Sequence, residues 1–183
     1  MDNQFSPRKL DVKSFAQEGA VIDGAAPLHE FARLEAETAG RSSDTQVEWT
    51  ATGEVRNPLH VQPEIWLHLR AGATLPLTCQ RCLQPVDVDV EVERSFRFVA
   101  DEETASAQDD ESEEDLLALS RAFDLHVLIE DELLMEMPIA PRHEVCPEPV
   151  KLSVEDPGFE QANEERENPF AVLGKLKSGK EEK

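Results

Sequence analysis

The chain has no tyrosine and few aromatic residues of any kind. Aromatic residues make up 5% of its 183 positions, although hydrophobic residues together reach 39%. Because aromatic side chains bury the largest areas, a core with few of them is aliphatic and small for the length. The length suits one domain of ordinary size with room for tails, so we expect part of the chain to lie outside the core.

Long apolar runs are also missing. No stretch approaches the roughly 18 apolar residues that a membrane helix needs, and the opening residues 1–5 carry no hydrophobic signal segment. The chain has three cysteines, and a secreted domain would normally pair its thiols. These features predict a cytoplasmic protein that makes no contact with a membrane.

Common catalytic signatures are absent as well. The sequence contains no Walker A loop, no GxGxxG, no GxSxG and no HExxH, the motifs of frequent phosphate, dinucleotide and hydrolase chemistries. We therefore expect a protein that is not an enzyme. The alternative is a metal-dependent ribonuclease that uses the carboxylates of residues 109–115, which would lack the fixed geometry that such a catalyst requires.

Basic residues are scarce. The chain has 18 Lys and Arg against 39 Asp and Glu, for a net charge of −21, and the excess is uneven: residues 1–100 carry −5 and residues 101–183 carry −16. Phosphate backbones are bound by Lys and Arg with release of counterions. So acidic a chain is unsuited to sequence-independent nucleic-acid binding, and a basic protein partner fits it better.

Apolar and polar residues alternate with a period of two in the middle of the chain. The pattern predicts strands over residues 46–55, 64–70, 74–78 and 86–98. The strands follow one another without a long crossover, so the sheet is expected to be antiparallel with one wet face. The fold class is then α+β, a meander or open barrel-like sheet with a few short helices.

The remaining segments define the domain organisation. We expect a short helix and a strand within residues 5–26, a brief helix after Pro27, and a longer helix capped by Asp124 and ended by Pro138. Residues 1–150 form the single predicted domain, with a flexible acidic loop at 100–115. Nine carboxylates and no basic residue lie between positions 101 and 115, which favours a solvated loop.

Residues 151–183 are predicted to form a flexible tail with one amphipathic motif at 168–177. Asn168 would cap a short helix, Pro169 would occupy its first turn, and Phe170, Leu173 and Leu176 would share one face. So short a helix is unstable alone. It would either dock on the sheet or insert into a groove of a partner.

All three cysteines belong to one spacing pattern. Cys79 and Cys82 form a CxxC pair, and His143 and Cys146 follow about sixty residues later at three-residue spacing. Three thiolates and an imidazole suit a closed, structural zinc site. Two other interpretations stay open: a redox pair, although the residues after Cys82 form a turn and not a helix, and three reduced thiols beside a solvated histidine.

A few basic residues lie near the predicted strands. Direct contact with RNA or a partner, if it occurs, is expected from Arg70, Arg81, Arg94 and Arg97, with Trp66 available for stacking. The alternative for each of them is an ordinary solvated strand position.

An ordered set of segments resembles the YceD family, the large ribosomal RNA subunit accumulation proteins. The set is LTCQRCLQP at 77–85, the acidic spacer followed by DLL at 115–117, IEDEL at 129–133 ending at Met137-Pro138, and NPFAVL at 168–173. The resemblance implies a small cytosolic bacterial protein needed for accumulation or processing of 23S ribosomal RNA. Its expected partners are the pre-ribosomal large subunit, its rRNA or a basic ribosomal protein. An adaptor that recruits a processing enzyme through residues 168–177 is the alternative.

Overall fold

The chain forms a five-stranded sheet with short helices packed against it. A computed structural model describes residues 5–38, 40–41, 44–61, 63–149, 154 and 170. The strands are β1 (Val21–Pro27), β2 (Gln46–Arg56), β3 (Glu64–Thr78), β4 (Pro85–Val99) and β5 (Asp115–Ala118). The helices are α1 (Val12–Gln17), α2 (Ala32–Glu37), α3 (Glu102–Gln108) and α4 (Leu125–Glu136), with single 3-10 turns at Leu28–Glu30 and Asp109–Glu111.

Strand order in space follows strand order in sequence. β1 to β4 pair as antiparallel neighbours, as predicted, and β5 adds to β4 in parallel. The two strands predicted at 64–70 and 74–78 are one continuous strand, β3. The small residues between them gave no alternation signal, but they pair with β4 without interruption, Ala71 with Val92 and Ala73 with Val90.

The core lies on one face of this sheet and is mainly aliphatic. Leu67, Leu69 and Leu75 of β3 are fully buried, and so are Phe15 of α1 and Ile129 of α4. These residues belong to one continuous cluster. The opposite face carries the charged half of the alternation, and the carboxylates of β4 on it are exposed, as the wet-face prediction required.

The acidic segment contains regular structure where we predicted a loop. Asp101 caps α3, since its carboxylate accepts the Thr104 N–H at 2.8 Å, and Glu102 and Glu103 lie in the first turn, where the helix dipole favours negative charge. β5 follows as a parallel strand. The prediction of an irregular segment at 100–115 was therefore wrong in part, and its flexibility stays a prediction.

Two compact units divide the chain, Met1–Cys146 and Pro147–Lys183. The sheet and all the helices named above lie in the first unit. In the second unit the described residues are 147–149, Val154 and Phe170, and the last two are exposed. Within the described residues, no helix combines the length and the apolar character that spanning a bilayer requires.

Candidate metal centre and the predicted partner-binding residues

The CxxC pair lies in the tight turn between β3 and β4. The Cys79 N–H donates to the Gln84 carbonyl at 2.9 Å, and the Leu83 N–H donates to the Cys79 carbonyl at 2.9 Å. Leu83 takes a left-handed backbone conformation with φ 62°, which is costly for a leucine and is tolerated where the surrounding structure fixes it. The turn thus points the two thiols of the pair into one site.

The second pair arrives from the segment after α4. That helix ends at Glu136, and Pro138 follows closely, as predicted. The chain then returns to the hairpin turn, where the Gln80 N–H donates to the Pro141 carbonyl at 2.8 Å. This backbone hydrogen bond places His143 and Cys146 beside the first pair.

The Arg81 side chain also binds the segment that carries His143 and Cys146. Its Nη2 donates to the carbonyls of His143 at 2.8 Å and Glu144 at 3.3 Å, and its Nε donates to Cys146 Sγ at 3.1 Å. Arg81 is also one of the predicted partner-binding residues, and that role stays a prediction. Its guanidinium joins the two halves of the cluster, a role that spacing in the sequence does not indicate.

The structure brings together the four predicted ligands. Their Sγ and ring nitrogen atoms all lie within 4.8 Å of one another, and Cys82 Sγ is 3.4 Å from His143 Nδ1. The three cysteines are free thiols, of which Cys79 is buried and the others are partly exposed. A group of this composition and closeness could hold a metal ion.

The donor set and the spacing fit a tetrahedral soft metal. With Zn–S near 2.3 Å and Zn–N near 2.0 Å, tetrahedral ligand atoms lie about 3.6–3.8 Å apart. The cluster needs a contraction of about 1 Å at its widest separation to reach that geometry. Four protein ligands would also fill the coordination shell, which is the arrangement of structural sites and leaves no position for a substrate.

The turn also prepares one thiol for coordination. Burial acts to raise the pKa of Cys79, but hydrogen bonds from the backbone of Cys82, His143 and Arg81 outweigh it and lower that pKa to about 5. Burial raises the pKa of Cys82, and so do the neighbouring sulfurs of Cys146 and Cys79. Only one of two adjacent thiols ionises readily, because negative charge on one opposes negative charge on the other. A bound cation would remove that opposition.

The other predicted partner-binding arginines do not converge on one surface patch. Arg70 pairs with Glu93 at 2.8 Å on the exposed face. Arg94 lies on the core face, where its Nε is 3.7 Å from Glu132 of α4. Arg97 Nη2 is 3.4 Å from Ser112 Oγ, and its Nε is buried without a hydrogen-bond partner among the described residues. Their role in RNA or partner binding stays a prediction.

Trp66, the residue predicted to stack on a base, is largely buried, and that role stays a prediction. Its side chain is 4% exposed, the Arg56 guanidinium lies over the ring at 4.0 Å from its centroid, and its Nε1 donates to Glu64 at 3.1 Å. A nucleobase would have to displace Arg56 before it could stack on this ring.

The tail motif is represented by one described residue. Phe170 is 70% exposed, whereas Asn168, Pro169 and Leu173 lie outside the described residues. The amphipathic helix predicted at 168–177 therefore stays a prediction.

Two buried carboxylates of α4 escaped the sequence interpretation. Glu130 and Glu132 are 9% and 6% exposed. A signal for Glu132 was present, because it lies three residues after Ile129 and four after Leu128, on the apolar stripe of the helix. Burial raises the pKa of Glu132, and the nearby Arg94 acts in the opposite direction.

Comparison with known proteins assigns the chain to a family. The family model described as "Large ribosomal RNA subunit accumulation protein YceD" matches residues 67–177, a range that contains both halves of the cysteine–histidine cluster. The large ribosomal RNA subunit accumulation protein YceD of Haemophilus influenzae is 28% identical over 142 residues, which cover 75% of this chain and 80% of that protein. No solved structure matches. The chain belongs to the YceD family of large ribosomal RNA subunit accumulation proteins, as its sequence segments had indicated.

Proposed function

We propose that this protein is a cytoplasmic, non-enzymatic factor in biogenesis of the large ribosomal subunit, and that it supports the synthesis, processing or stability of 23S rRNA. The observation that carries the proposal is the family match over residues 67–177. The acidic composition supports a partner with basic groups, such as a ribosomal protein on the pre-ribosomal particle.

Association with the precursor particle is the direct test. A tagged chain expressed in its own host should sediment with large-subunit precursors in a sucrose gradient and be weak or absent in the mature 70S fractions. Raising the salt concentration should release it, because contacts between an acidic protein and a basic one are screened by salt. A chain found only at the top of the gradient at low salt would contradict this association.

We also propose that Cys79, Cys82, His143 and Cys146 hold one structural zinc ion. Three thiolates and a dipositive ion leave one net negative charge, and the Arg81 guanidinium lies 3.1 Å from Cys146 Sγ, where it offsets that charge. The ion would tie the β3–β4 turn to the segment after α4, two places separated by about sixty residues in the sequence. Its contribution would be to stability of the fold.

Metal content gives a quantitative prediction. Protein purified without added zinc should carry about one equivalent per chain. Cys82→Ser should reduce that content and lower the melting temperature, since a coordinating thiolate is lost. Elemental analysis and thermal unfolding measured on the same samples make the test.

Ser14→Ala is the matched control, because it removes a partly buried polar side chain far from the cluster in sequence. It should leave the metal content at the wild-type level. Protein that contains no metal, together with an unchanged melting curve for Cys82→Ser, would leave only the interpretation of reduced thiols.

A further inference from the structure

Among the residues that the structure describes, no strand lies beside most of β4 on one side. β4 runs from Pro85 to Val99, and β3 pairs with its whole length. β5 pairs only with Phe96 to Val99. Residues 85–95 therefore form a free edge of the sheet, with a length of about 35 Å at a rise of about 3.3 Å per residue.

The register shows which backbone groups face outward along this edge. In an antiparallel pair, hydrogen-bonded and non-bonded residue pairs alternate. The Cys79 N–H donates to the Gln84 carbonyl, so Cys79 and Gln84 form a hydrogen-bonded pair. Every second residue of β4 after Gln84 then belongs to such a pair. The backbone groups of Val86, Val88, Val90 and Val92 therefore bond to β3. The odd-numbered residues of β4 must then point their N–H and C=O groups away from β3.

A hydrogen bond at the other end of β4 confirms that the odd-numbered residues point away from β3. The carbonyl of Val99, an odd-numbered residue, accepts the Leu119 N–H at 2.8 Å on the side of β5. Four of the outward residues of the free edge are acidic, Asp87, Asp89, Glu91 and Glu93, and they offer four N–H and four C=O groups. Within the described part of the chain, none of these backbone groups has a hydrogen-bond partner.

The side chains along the edge form two rows of different chemistry. The four carboxylates of the outward residues are exposed on the wet face. Arg70 pairs with Glu93 and Thr74 donates to Asp89, which leaves most of the negative charge of the row uncompensated. On the core face, Val86 and Val88 are only partly buried although they pack against the core.

A strand added here would need basic residues beside the carboxylates and apolar residues beside the valines. Side chains of neighbouring strands lie about 4.5–5.5 Å apart across a sheet, so opposite charges attract there and like charges repel. A second copy of the same edge would place carboxylates against carboxylates. The charge pattern thus excludes self-pairing and selects a strand of alternating Lys or Arg and apolar residues.

We propose that the free edge of β4 at residues 85–95 binds an extended segment of a basic protein, which adds to the sheet as a sixth strand. Backbone hydrogen bonds to residues 87, 89, 91 and 93 provide the affinity, and the carboxylate row selects the basic sequence. This inference rests on the proposed function for the class of partner, a basic protein, and adds the surface and the conformation in which that partner binds.

Amide hydrogen exchange of the full chain tests the surface with a defined probe. The probe is an eight-residue peptide of alternating Lys and Val, and the control peptide has four Lys followed by four Val, with the same charge. In the free protein the amides at 87, 89, 91 and 93 should exchange fast, and those at 86, 88, 90 and 92 slowly. The alternating peptide should slow exchange at the odd positions, and the block peptide should have little effect.

A pair of substitutions at Glu91 separates backbone pairing from charge. The Glu91 side chain makes no hydrogen bond within the described ranges of the chain, and its N–H points outward. Glu91→Pro removes that donor and should weaken peptide binding by about tenfold, since one hydrogen bond is lost and the edge is blocked. Glu91→Gln removes the same charge and should weaken binding only about twofold.

Two further experiments test whether the position of the charges matters and whether residues 151–183 cover the edge. Asp109→Lys combined with Glu111→Lys changes the net charge as much as Asp87→Lys with Glu91→Lys does, but only the second pair should abolish binding. Far-UV circular dichroism melts verify that each variant folds.

Binding that appears only after removal of residues 151–183 would show that the tail of this chain covers the edge, and would overturn the proposal.

These experiments test the binding surface on β4 independently of the proposed role in ribosome biogenesis. If the peptide protects no odd-numbered amide of β4, or if Glu91→Pro binds as wild type, the edge is not the binding surface even when the chain sediments with large-subunit precursors. Protection at the odd positions, together with the Pro effect, would establish strand addition whatever the sedimentation shows.

Discussion

At the residue scale, His126 is a buried titratable group that the residue pattern of α4 does not reveal. It is 7% exposed, stacks on Phe31 with ring centroids 5.2 Å apart and meets the edge of Trp49 at 4.8 Å. Its Nδ1 is buried without a hydrogen-bond partner among the described residues. Burial lowers the pKa of His126, Arg8 lowers it further, and Asp124 and Glu30 oppose both.

The lowered pKa predicts a loss of stability in mild acid. The folded-state pKa lies below the unfolded value of 6.5, so the unfolded chain takes up the proton first as the pH falls. The contribution of neutral His126 is complete above pH 6.5 and is lost progressively below it. Urea unfolding of wild type should therefore give a smaller free energy of unfolding at pH 5.5 than at pH 7.5.

His126→Leu should reduce that difference, because leucine takes up no proton. Glu132 acts in the opposite sense, since its raised pKa favours proton uptake by the folded state, but it is present in both proteins and cancels in the comparison. An equal pH dependence in wild type and variant would show that His126 does not titrate on unfolding.

The sequence predicts the position of some site residues and not of others. Spacing was sufficient to indicate that Cys79, Cys82, His143 and Cys146 lie together, because three cysteines and a histidine in two closely spaced pairs match a set of metal ligands. It could not place Arg81, whose contacts depend on a segment more than sixty residues later. A polar residue that acts through distant backbone groups leaves no local pattern.

At the element scale, a side chain of α4 caps α2. The N-cap position of α2 is Phe31, which has no side-chain acceptor. The Glu130 carboxylate accepts the backbone N–H groups of Arg33 at 2.7 Å and Leu34 at 3.3 Å, and also Arg33 Nε at 2.9 Å. A helix that begins without its own cap is thereby completed by another element.

Glu130→Ala should destabilise the protein by about 3 kcal/mol, since it leaves two N–H groups and the Arg33 side chain without their acceptor. Glu130→Gln keeps one acceptor oxygen and should cost about 1 kcal/mol. Asp131→Asn, at the exposed contact with the same arginine, is the matched control and should change stability by less than about 0.5 kcal/mol. Chemical denaturation measures all three, and equal losses at 130 and 131 would refute the capping role.

The contact between α1 and β2 depends on a glycine. A Cβ at Gly53 would lie 2.8 Å from the backbone of Ala16, which cannot shift without moving α1. Gly53→Ala should lower the free energy of unfolding by about 1–3 kcal/mol. Gly72→Ala is the control, because the nearest atom to its Cβ is the Val90 carbonyl oxygen, 3.3 Å away, and no helix lies within 4 Å. A similar loss there would mean that close packing on α1 is not the cause.

The elements were predicted well where the pattern was strong and poorly where it was short. Alternation over ten or more residues located β2 and β4, and Asp124 marked the start of α4. β5 has four residues, and its partner in the sheet precedes it by about twenty positions. It begins where the acidic segment ends, and its few apolar residues are too short a run to show the alternation of a strand.

At the scale of the whole molecule, two ligands of the proposed centre lie in the turn at which the free strand edge begins. Cys79 ends the approach from β3, and Pro85 begins the exposed length of β4. Zinc in the centre would fix the turn from which that edge begins, so metal and partner binding would be linked through a rigid hairpin. The negative charge of the chain would then draw a basic partner toward an edge whose geometry is already set.

The most direct test of the account is the amount of large-subunit RNA in cells that lack the protein. Depletion in the native host should lower the ratio of mature 23S to 16S rRNA and raise 23S precursors, and the wild-type gene should restore both. A 23S to 16S ratio that stays at the wild-type value after full depletion, with no accumulation of precursor, would contradict the proposed function.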